Sequence, residues 1–175
     1  MEISYQALAK HSKWRLETNA SKAGLSVDLA ELVCVKGSLT ESLMALGSGA
    51  FSVNLLRQRF CVPYWHEQKK MQRPLSRVAM VREVELRLYD EAVVYARSVI
   101  PLSLTTRGGK GLANLGRTPL GHLLFKDGKI RVSKREFSHV SINNVSVIAR
   151  RTPYDYQGSQ ILVSEFFLPR IHSYL

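Results

Sequence analysis

Two charged residues interrupt apolar rows of the sequence, and their positions are the first sign of chemistry. In the segment Arg77–Tyr89, apolar and polar residues alternate as in a strand with one buried face, and Arg82 lies in the apolar row. In the segment Gln160–Leu168, Glu165 occupies the same kind of position. Because arginine cannot lose its charge to suit an apolar environment, an inward-facing Arg82 requires an anionic partner or ligand.

These two charges have two interpretations. In the first, Arg82 and Glu165 form a buried ion pair, which adds little net stability but is costly to break. In the second, both face a small closed pocket, where each charge holds one end of a polar ligand. The strand pattern leaves both interpretations open. Arg97 is a third charged residue in a predicted strand, but both faces of that strand are apolar, so the direction of its side chain is ambiguous.

The sequence lacks the motifs of several common enzyme chemistries. The glycine-rich GGKGL stretch has neither the spacing nor the GKS/T ending of a phosphate-binding loop, and GSGAFS does not form a nucleophile elbow. The five histidines are scattered and stand in no zinc-binding motif. We therefore expect no metal site, with each histidine on the surface or in a satisfied core position.

Composition limits the class of protein. The 175 residues, 45% hydrophobic and 22% charged, predict one soluble globular domain. No apolar run approaches the roughly 20 residues of a membrane-spanning helix, and charges occupy the place where an export signal is apolar. Two cysteines, Cys34 and Cys61, do not make a disulfide-rich secreted scaffold. The expectation is a cytoplasmic protein without membrane insertion.

The charge is strongly positive and unevenly distributed. Of the formal net charge of +11, the span 107–151 contributes +8, since it holds ten basic residues and only two acidic ones. Such a field gathers anions, which include nucleic acids, membrane surfaces and small polyanionic metabolites. A merely solubilising surface is equally compatible with the charge. Nucleic acid is disfavoured, because only Phe125 and Phe137 provide aromatic rings within the span.

The predicted elements describe a single α+β domain with a mainly antiparallel sheet. Short helices are predicted from Ser26, from Ser38 to a stop at Gly47, and from the Thr118-Pro119 pair. The predicted strands occupy residues 51–62, 77–89, 92–100, 129–135, 137–150 and 160–168. Residues 1–25 have no firm period and form a poorly assigned lead-in, so the domain occupies residues 26–175.

Further expectations concern the connections between elements and the exposure of one strand face. The basic stretch 66–74 is predicted to be a loop, and the glycines within 104–116 are expected to keep that segment mobile. Asp127-Gly128 and Gln157-Gly158 are predicted turns. In the strand 77–89, the row opposite Arg82 is expected to be mostly exposed; it comprises Arg77, Ala79, Val81, Glu83, Glu85, Arg87 and Tyr89.

Several blocks of sequence, taken in order, carry a family resemblance. They are Val81-Arg82-Glu83-Val84, Ala96–Pro101, Leu115–Gly121 with Leu124-Phe125, and Ser164–Pro169. With these blocks the chain resembles the bacterial chorismate pyruvate-lyase family, whose members make 4-hydroxybenzoate for ubiquinone. The resemblance extends from about Ser26 to the C-terminus, and its most specific parts are G-R-T-P-L-G-x-x-L-F and E-F-F-L-P.

This resemblance implies a cofactor-free elimination of pyruvate from chorismate in a pocket enclosed by the sheet and short helices. In the family, the arginine that matches Arg82 binds the ring carboxylate, and the glutamate that matches Glu165 binds the ring hydroxyl. The positions that match Leu120 and Leu39 contribute main-chain contacts, with Leu39 replacing a methionine. A second cation is expected to hold the enolpyruvyl carboxylate, and Arg97 is the candidate.

The same resemblance supplies the alternative function. The lyase fold is similar to the effector-binding domains of some bacterial transcription regulators, so a non-catalytic sensor of small aromatic acids is the rival. Such domains follow a DNA-binding winged helix, for which residues 1–25 are too few. The Gly108-Gly109 segment is expected to belong to a lid over the site. The expected protein is a monomer whose partners are chorismate and 4-hydroxybenzoate, without nucleic acid.

Overall fold

One antiparallel sheet organises the part of the chain that this computed structural model describes, residues 4–18, 24–72, 74, 76–106, 110–125 and 130–175. Its strands are β1 (Arg15–Leu16), β2 (Phe51–Cys61), β3 (Ala79–Leu88), β4 (Glu91–Pro101), β5 (Arg131–Val132), β6 (Glu136–Ile142), β7 (Val145–Tyr156) and β8 (Ser159–Phe167). Their spatial order is β1-β6-β7-β8-β4-β3-β2, with β5 paired to β7. The predicted α+β class with an antiparallel sheet is confirmed.

The helices between these strands are short. They are α1 (Tyr5–His11), α2 (Val27–Cys34), α3 (Leu39–Leu46), α4 (Trp65–Lys70), α5 (Ser103–Thr106), α6 (Lys110–Ala113) and α7 (Leu120–Phe125), followed by a 3-10 helix at Pro169–Ser173. Among the described residues, no helix is long and apolar enough to cross a membrane.

The helix-capping signals in the sequence act as predicted. The Ser26 hydroxyl accepts a hydrogen bond from the Leu29 N–H at the start of α2, and the Ser38 hydroxyl accepts one from the Glu41 N–H at the start of α3. Gly47 ends α3. Helix α7 begins one residue after the predicted Pro119, a difference that lies within the usual fraying of helix ends.

Two-residue hairpin turns set the register of the sheet. The pairs Tyr89-Asp90, Asn143-Asn144 and Gln157-Gly158 all have positive φ angles, as type I′ turns between twisted strands require. The turn at Gln157-Gly158 was predicted, but the one at Asn143-Asn144 was not. The predicted single strand 137–150 is therefore wrong, because this turn divides it into β6 and the first half of β7.

The predicted loop at 66–74 is also wrong, since α4 occupies its first half. At the start of α4 the Glu67 carboxylate accepts a hydrogen bond of 2.8 Å from the main-chain N–H of Tyr64. Only six residues long, α4 is too short to show a helical period in the sequence. In the 104–116 segment, α5 ends before residue 107 and α6 begins after residue 109. The Gly108-Gly109 pair and the predicted turn at Asp127-Gly128 both lie outside the described residues.

Both faces of the sheet are covered, which corrects the expected exposure of β3. The first face packs against α2, α3 and α7, and the second face packs against α1 and α4. On the second face Ala79, Val81 and Glu83 are buried, although their row was predicted to be mostly exposed. The charges in that row find partners within the protein, which an alternating pattern does not reveal.

The second face contains a buried charge cluster built around Arg97. Its guanidinium donates to the two carboxylate oxygens of Glu67 at 2.7 and 3.1 Å and to Glu83 at 3.1 Å. The Tyr95 hydroxyl donates to the same Glu83 oxygen. Burial opposes the charged form of Arg97, but the hydrogen bonds and charge of Glu67 outweigh it and raise the pKa of Arg97. The cluster satisfies Arg97 internally.

His66, on α4, is held in its neutral form next to this cluster. Its Nε2 lies 3.0 Å from the Ala9 carbonyl oxygen and so donates, while Nδ1 accepts from Arg151 at 3.2 Å. Burial is the main cause that lowers the pKa of His66 below 6.5, and the charge of Arg151 adds to it, while the charge of Glu67 opposes both. A proton on Nδ1 would face the Arg151 guanidinium.

We therefore expect the free energy of unfolding to fall as the pH decreases below about 6.5. In that range the unfolded chain binds a proton at His66 more readily than the folded chain does, so acid favours unfolding. Urea denaturation of the wild type and His66→Gln between pH 7.5 and 5 measures this effect. His66→Gln should flatten the slope, whereas His172→Gln, which changes an exposed histidine, should retain it. Equal slopes for wild type and His66→Gln would contradict the expectation.

Candidate functional site

A cavity lies between the first face of the sheet and the starts of α3 and α7. It holds about 520 Å³ of space not filled by protein atoms, part of it open to solvent. Most of the wall is aliphatic, and a few polar side chains face the interior: Thr40, Arg82, Ser98, Tyr154 and Glu165. Among the described residues, no three metal-ligating side chains come together in a group.

Four of the five residues predicted for a site line this cavity, namely Leu39, Arg82, Leu120 and Glu165. Arg97 does not. It points to the opposite face of the sheet, where Glu67 and Glu83 neutralise it. The ambiguity of its strand is resolved by α4, which covers the second face and brings Glu67 to it. Arg97 is therefore not available as the second cation of this cavity.

Arg82 is a buried cation without a carboxylate partner in the described part of the chain. Its side chain is 2% exposed, and its Nη2 donates to the main-chain carbonyls of Gly116 and Thr118, each at 3.1 Å. Its Nε is buried and has no hydrogen-bond partner among the described residues. Burial lowers the pKa of Arg82 to about 10, which still leaves it charged at neutral pH. The charge is thus available to an anion in the cavity.

Glu165 pairs with Arg150 and not with Arg82. The Arg150 Nε donates to Glu165 at 2.6 Å, and the Arg150 Nη2 donates to the other carboxylate oxygen at 3.4 Å. Arg150 itself is fully buried, and although burial opposes its charge, Glu165 raises its pKa. The simple Arg82–Glu165 ion pair is therefore not formed. Glu165 lines the cavity while it binds Arg150.

Sequence reasoning missed Arg150, although a signal was present. Arg150 follows Ile148 by two residues and so lies in the same inward row of β7, as Arg82 does in β3. The predicted strand ended at this residue.

Tyr154 was missed because it lies beyond the predicted end of the strand, so the inward row was not followed that far. Burial first, and then the charge of Glu165, raise the pKa of Tyr154 to about 12, so its phenol is a neutral hydrogen-bond donor within the cavity wall.

The starts of α3 and α7 meet at the other wall of the cavity. Leu39 and Leu120 are the first residues of these helices, where main-chain N–H groups have no acceptor within the helix. The two starts approach closely at Gly121, where an added Cβ would lie 3.3 Å from the Ser38 hydroxyl. A glycine at this position lets both main chains reach the same part of the cavity.

Solved structures of other proteins share this architecture. The effector domain of PhnF from Mycobacterium smegmatis superposes with a TM-score of 0.55 at 10% identity, covering 77% of this chain and 90% of that one. A GntR-family transcriptional regulator from Enterococcus faecalis V583 gives a TM-score of 0.52 at 13% identity, covering 68% and 94%. At such identities the likeness concerns the fold alone.

Sequence comparison is more specific. The family model for chorismate lyase matches residues 8–174. A probable chorismate pyruvate-lyase from Methylococcus capsulatus is 37% identical over 150 residues, covering 79% of this chain and 93% of that protein. Another from Pseudomonas putida is 30% identical over 178 residues, covering 98% and 97%. The chain belongs to the chorismate lyase family, as its sequence blocks had indicated.

The buried pair beneath the cavity generates a prediction about stability. We expect Arg150→Met to lower the free energy of unfolding by about 3–5 kcal/mol, because it leaves the Glu165 charge buried without its partner. The double variant Arg150→Met/Glu165→Leu should recover most of that loss, since it removes both charges at similar volume. Urea denaturation measures both variants. A double variant as unstable as the single one would mean that Arg150 acts through packing and not through charge.

Proposed function

We propose that this protein is a chorismate pyruvate-lyase, which converts chorismate into 4-hydroxybenzoate and pyruvate. The observation that carries the proposal is that one cavity, in a member of the chorismate lyase family, is lined both by Arg82, which has no carboxylate partner among the described residues, and by Glu165. In the cell this reaction is the first step of the ubiquinone head-group pathway. The proposal includes a monomeric protein that acts in the cytoplasm, without a cofactor and without nucleic acid.

The spacing of the two charges suits the ring of the substrate. Arg82 lies on β3 and Glu165 on β8, with β4 between them. Two interstrand steps separate the main chains by roughly 10 Å. A six-membered ring with a carboxylate at one end and a hydroxyl at the other fits between these side chains. Arg82 binds the carboxylate, Glu165 accepts the hydroxyl proton in a hydrogen bond, and the main chains of Leu39 and Leu120 make further contacts.

The reaction needs no atoms besides those of chorismate. The bond between the ring and the ether oxygen breaks, and the adjacent ring carbon, which bears the hydroxyl, loses its hydrogen as a proton. The electrons of that carbon–hydrogen bond complete the aromatic ring and give 4-hydroxybenzoate. The departing enolpyruvate takes up a proton at its methylene carbon and becomes pyruvate.

Aromatisation supplies the driving force, so the protein contributes position and electrostatics. Arg82 and Glu165 hold the two ends of the ring in fixed places, and the largely apolar wall keeps the electrostatic interactions strong. The net charge of +11 raises the encounter rate with a substrate that carries two carboxylates.

A sensor of small aromatic acids is the alternative function, and it would use the same cavity. The two functions differ in turnover. Incubating the protein with chorismate and following 4-hydroxybenzoate and pyruvate by chromatography separates them. Equimolar products above the uncatalysed background support the lyase, whereas binding of 4-hydroxybenzoate without turnover supports the sensor.

For Arg82→Ala we expect kcat/KM for chorismate to fall by about 100-fold or more, because the ring carboxylate loses its charged partner in a buried site. Circular dichroism checks that the variant remains folded. Arg59→Ala, which removes an exposed arginine of β2, is the matched control and should retain activity. Full activity in a folded Arg82→Ala protein would refute the assignment of the carboxylate site.

For Glu165→Gln we expect weaker binding of 4-hydroxybenzoate, by about 10-fold, and a smaller effect on benzoate. The carboxylate accepts the phenol proton in a charge-assisted hydrogen bond, and benzoate has no such proton. Isothermal titration calorimetry with both ligands measures the difference. Because any disturbance of Arg150 affects both ligands, equal losses would show that Glu165 does not contact the hydroxyl.

A further inference from the structure

Strand β4 lies between the strands that carry Arg82 and Glu165, and it contributes two small side chains to the cavity wall, Ala96 and Ser98. In the register of the sheet, Ser98 is directly opposite Arg82 on β3. Ala96 is directly opposite Glu165 on β8. Residues directly opposite each other in antiparallel strands share a face, with Cβ atoms about 4.5–5.5 Å apart. Ser98 is therefore the neighbour of Arg82 in the wall.

The small size of these two residues leaves space next to β4. On the same face of this strand, the larger side chains of Val94 and Ile100 stand on either side of them and are buried in the core. A ring that extends from Arg82 to the carboxylate on β8 crosses β4 at Ala96 and Ser98. Of these two, only Ser98 has a polar side chain, and it is the one beside the arginine.

The Ser98 hydroxyl makes no hydrogen bond within the described part of the chain, although the residue is only 4% exposed. A buried hydroxyl without a partner costs free energy, and most buried polar groups are therefore paired. The residues opposite Ser98 in the sheet are Arg82 and Val163. A guanidinium only donates and a valine side chain has no polar atom, so neither accepts the hydroxyl proton. The Ser98 hydroxyl is thus free to donate to an acceptor inside the cavity.

A carboxylate bound by Arg82 has acceptor positions to spare. The Arg82 guanidinium is fixed by the hydrogen bonds of its Nη2 to the carbonyls of Gly116 and Thr118. A carboxylate has about four lone-pair positions, and one guanidinium does not fill them. We infer that the Ser98 hydroxyl donates a hydrogen bond to the ring carboxylate that Arg82 binds, an inference that rests on the carboxylate binding of the proposed function.

This assignment gives the two polar neighbours different roles. Arg82 supplies the charge that attracts the carboxylate, and the directional hydrogen bond from Ser98 fixes the rotation of the carboxylate and of the ring attached to it. Ser98 therefore contributes to the binding of every ligand that has this carboxylate, whether or not the ring carries a hydroxyl. Glu165, at the other end, contributes only when the hydroxyl is present.

The test measures Kd for 4-hydroxybenzoate and for benzoate by isothermal titration calorimetry in Ser98→Ala and Ser98→Thr. We expect Ser98→Ala to weaken both ligands equally, by about 10-fold, and to lower kcat/KM for chorismate by a similar factor, because each ligand loses a hydrogen bond to its charged group. Ser98→Thr retains the hydroxyl and should stay within about threefold of the wild type. Ser164→Ala removes a buried serine from the other face of the sheet and should change none of these values.

Two further measurements separate binding from structure. The double variant Ala96→Ser/Ser98→Ala moves the hydroxyl from the Arg82 end of the ring to the Glu165 end without changing the total size of the two side chains. Its affinity for benzoate should remain as low as that of Ser98→Ala. Urea denaturation of Ser98→Ala without ligand should give a free energy of unfolding no lower than that of the wild type, since the hydroxyl has no partner to lose.

The opposite results would overturn the assignment of Ser98. It is wrong if Ser98→Ala leaves both Kd values unchanged, if the double variant restores them, or if Ser164→Ala raises them equally. Weaker binding of 4-hydroxybenzoate but not of benzoate would place the hydroxyl at the other end of the ring, and a less stable Ser98→Ala protein would show that it serves the fold. A wild type that binds both ligands but does not turn over chorismate would overturn the lyase alone. A wild type that binds neither ligand would overturn both proposals.

Discussion

The positive charge of Arg82, held inside the sheet, is the constraint around which the cavity is built. Guanidinium cannot escape burial by losing its proton, so the protein must surround it with oxygen atoms. The carbonyls of Gly116 and Thr118 supply partial negative charge, and the neighbouring Gln58 side chain fixes the same segment by donating to the Ala113 carbonyl at 2.8 Å. The segment before α7 is thereby tied to β2 and β3, and it closes one side of the cavity.

The other buried arginines have carboxylate partners within the protein, and Arg82 has none among the described residues. Arg97 is neutralised by Glu67 and Glu83, Arg150 by Glu165, and Arg151 by Glu136. Each of these arginines has at least one carboxylate of the protein itself as a partner. Carbonyls hold Arg82 without neutralising it, since they carry no net charge. Within the described part of the chain, this contrast separates arginines that hold the fold together from one that is available to a ligand.

Much of this site could be predicted from the sequence, because β3 and β8 each have one face in the core. Alternation places Arg82 and Glu165 inward once the strands are recognised, and the capped starts near Leu39 and Leu120 follow from local signals. The partner of Glu165 could not be found this way, since it depends on the register between β7 and β8. Alternation with Ile148 marks Arg150 as inward, but only the register between β7 and β8 pairs it with Glu165.

The direction of the Arg97 side chain required the tertiary structure. Both rows of β4 are apolar enough to be buried, so only the position of α4 decides which face receives the Arg97 charge. Contacts between residues that are far apart in the sequence cannot be predicted from local spacing.

The topology also implies an order in which the two ends of the cavity assemble during folding. Arg150 and Glu165 are 15 positions apart on the two strands of one hairpin, whose turn is Gln157-Gly158. Arg82 is separated from its carbonyl partners by 34 and 36 positions. Because closing a longer loop costs more conformational entropy, contacts within the hairpin form more readily. The end of the cavity at Glu165 is therefore expected to form first, and the end at Arg82 to be completed when the α6–α7 segment docks.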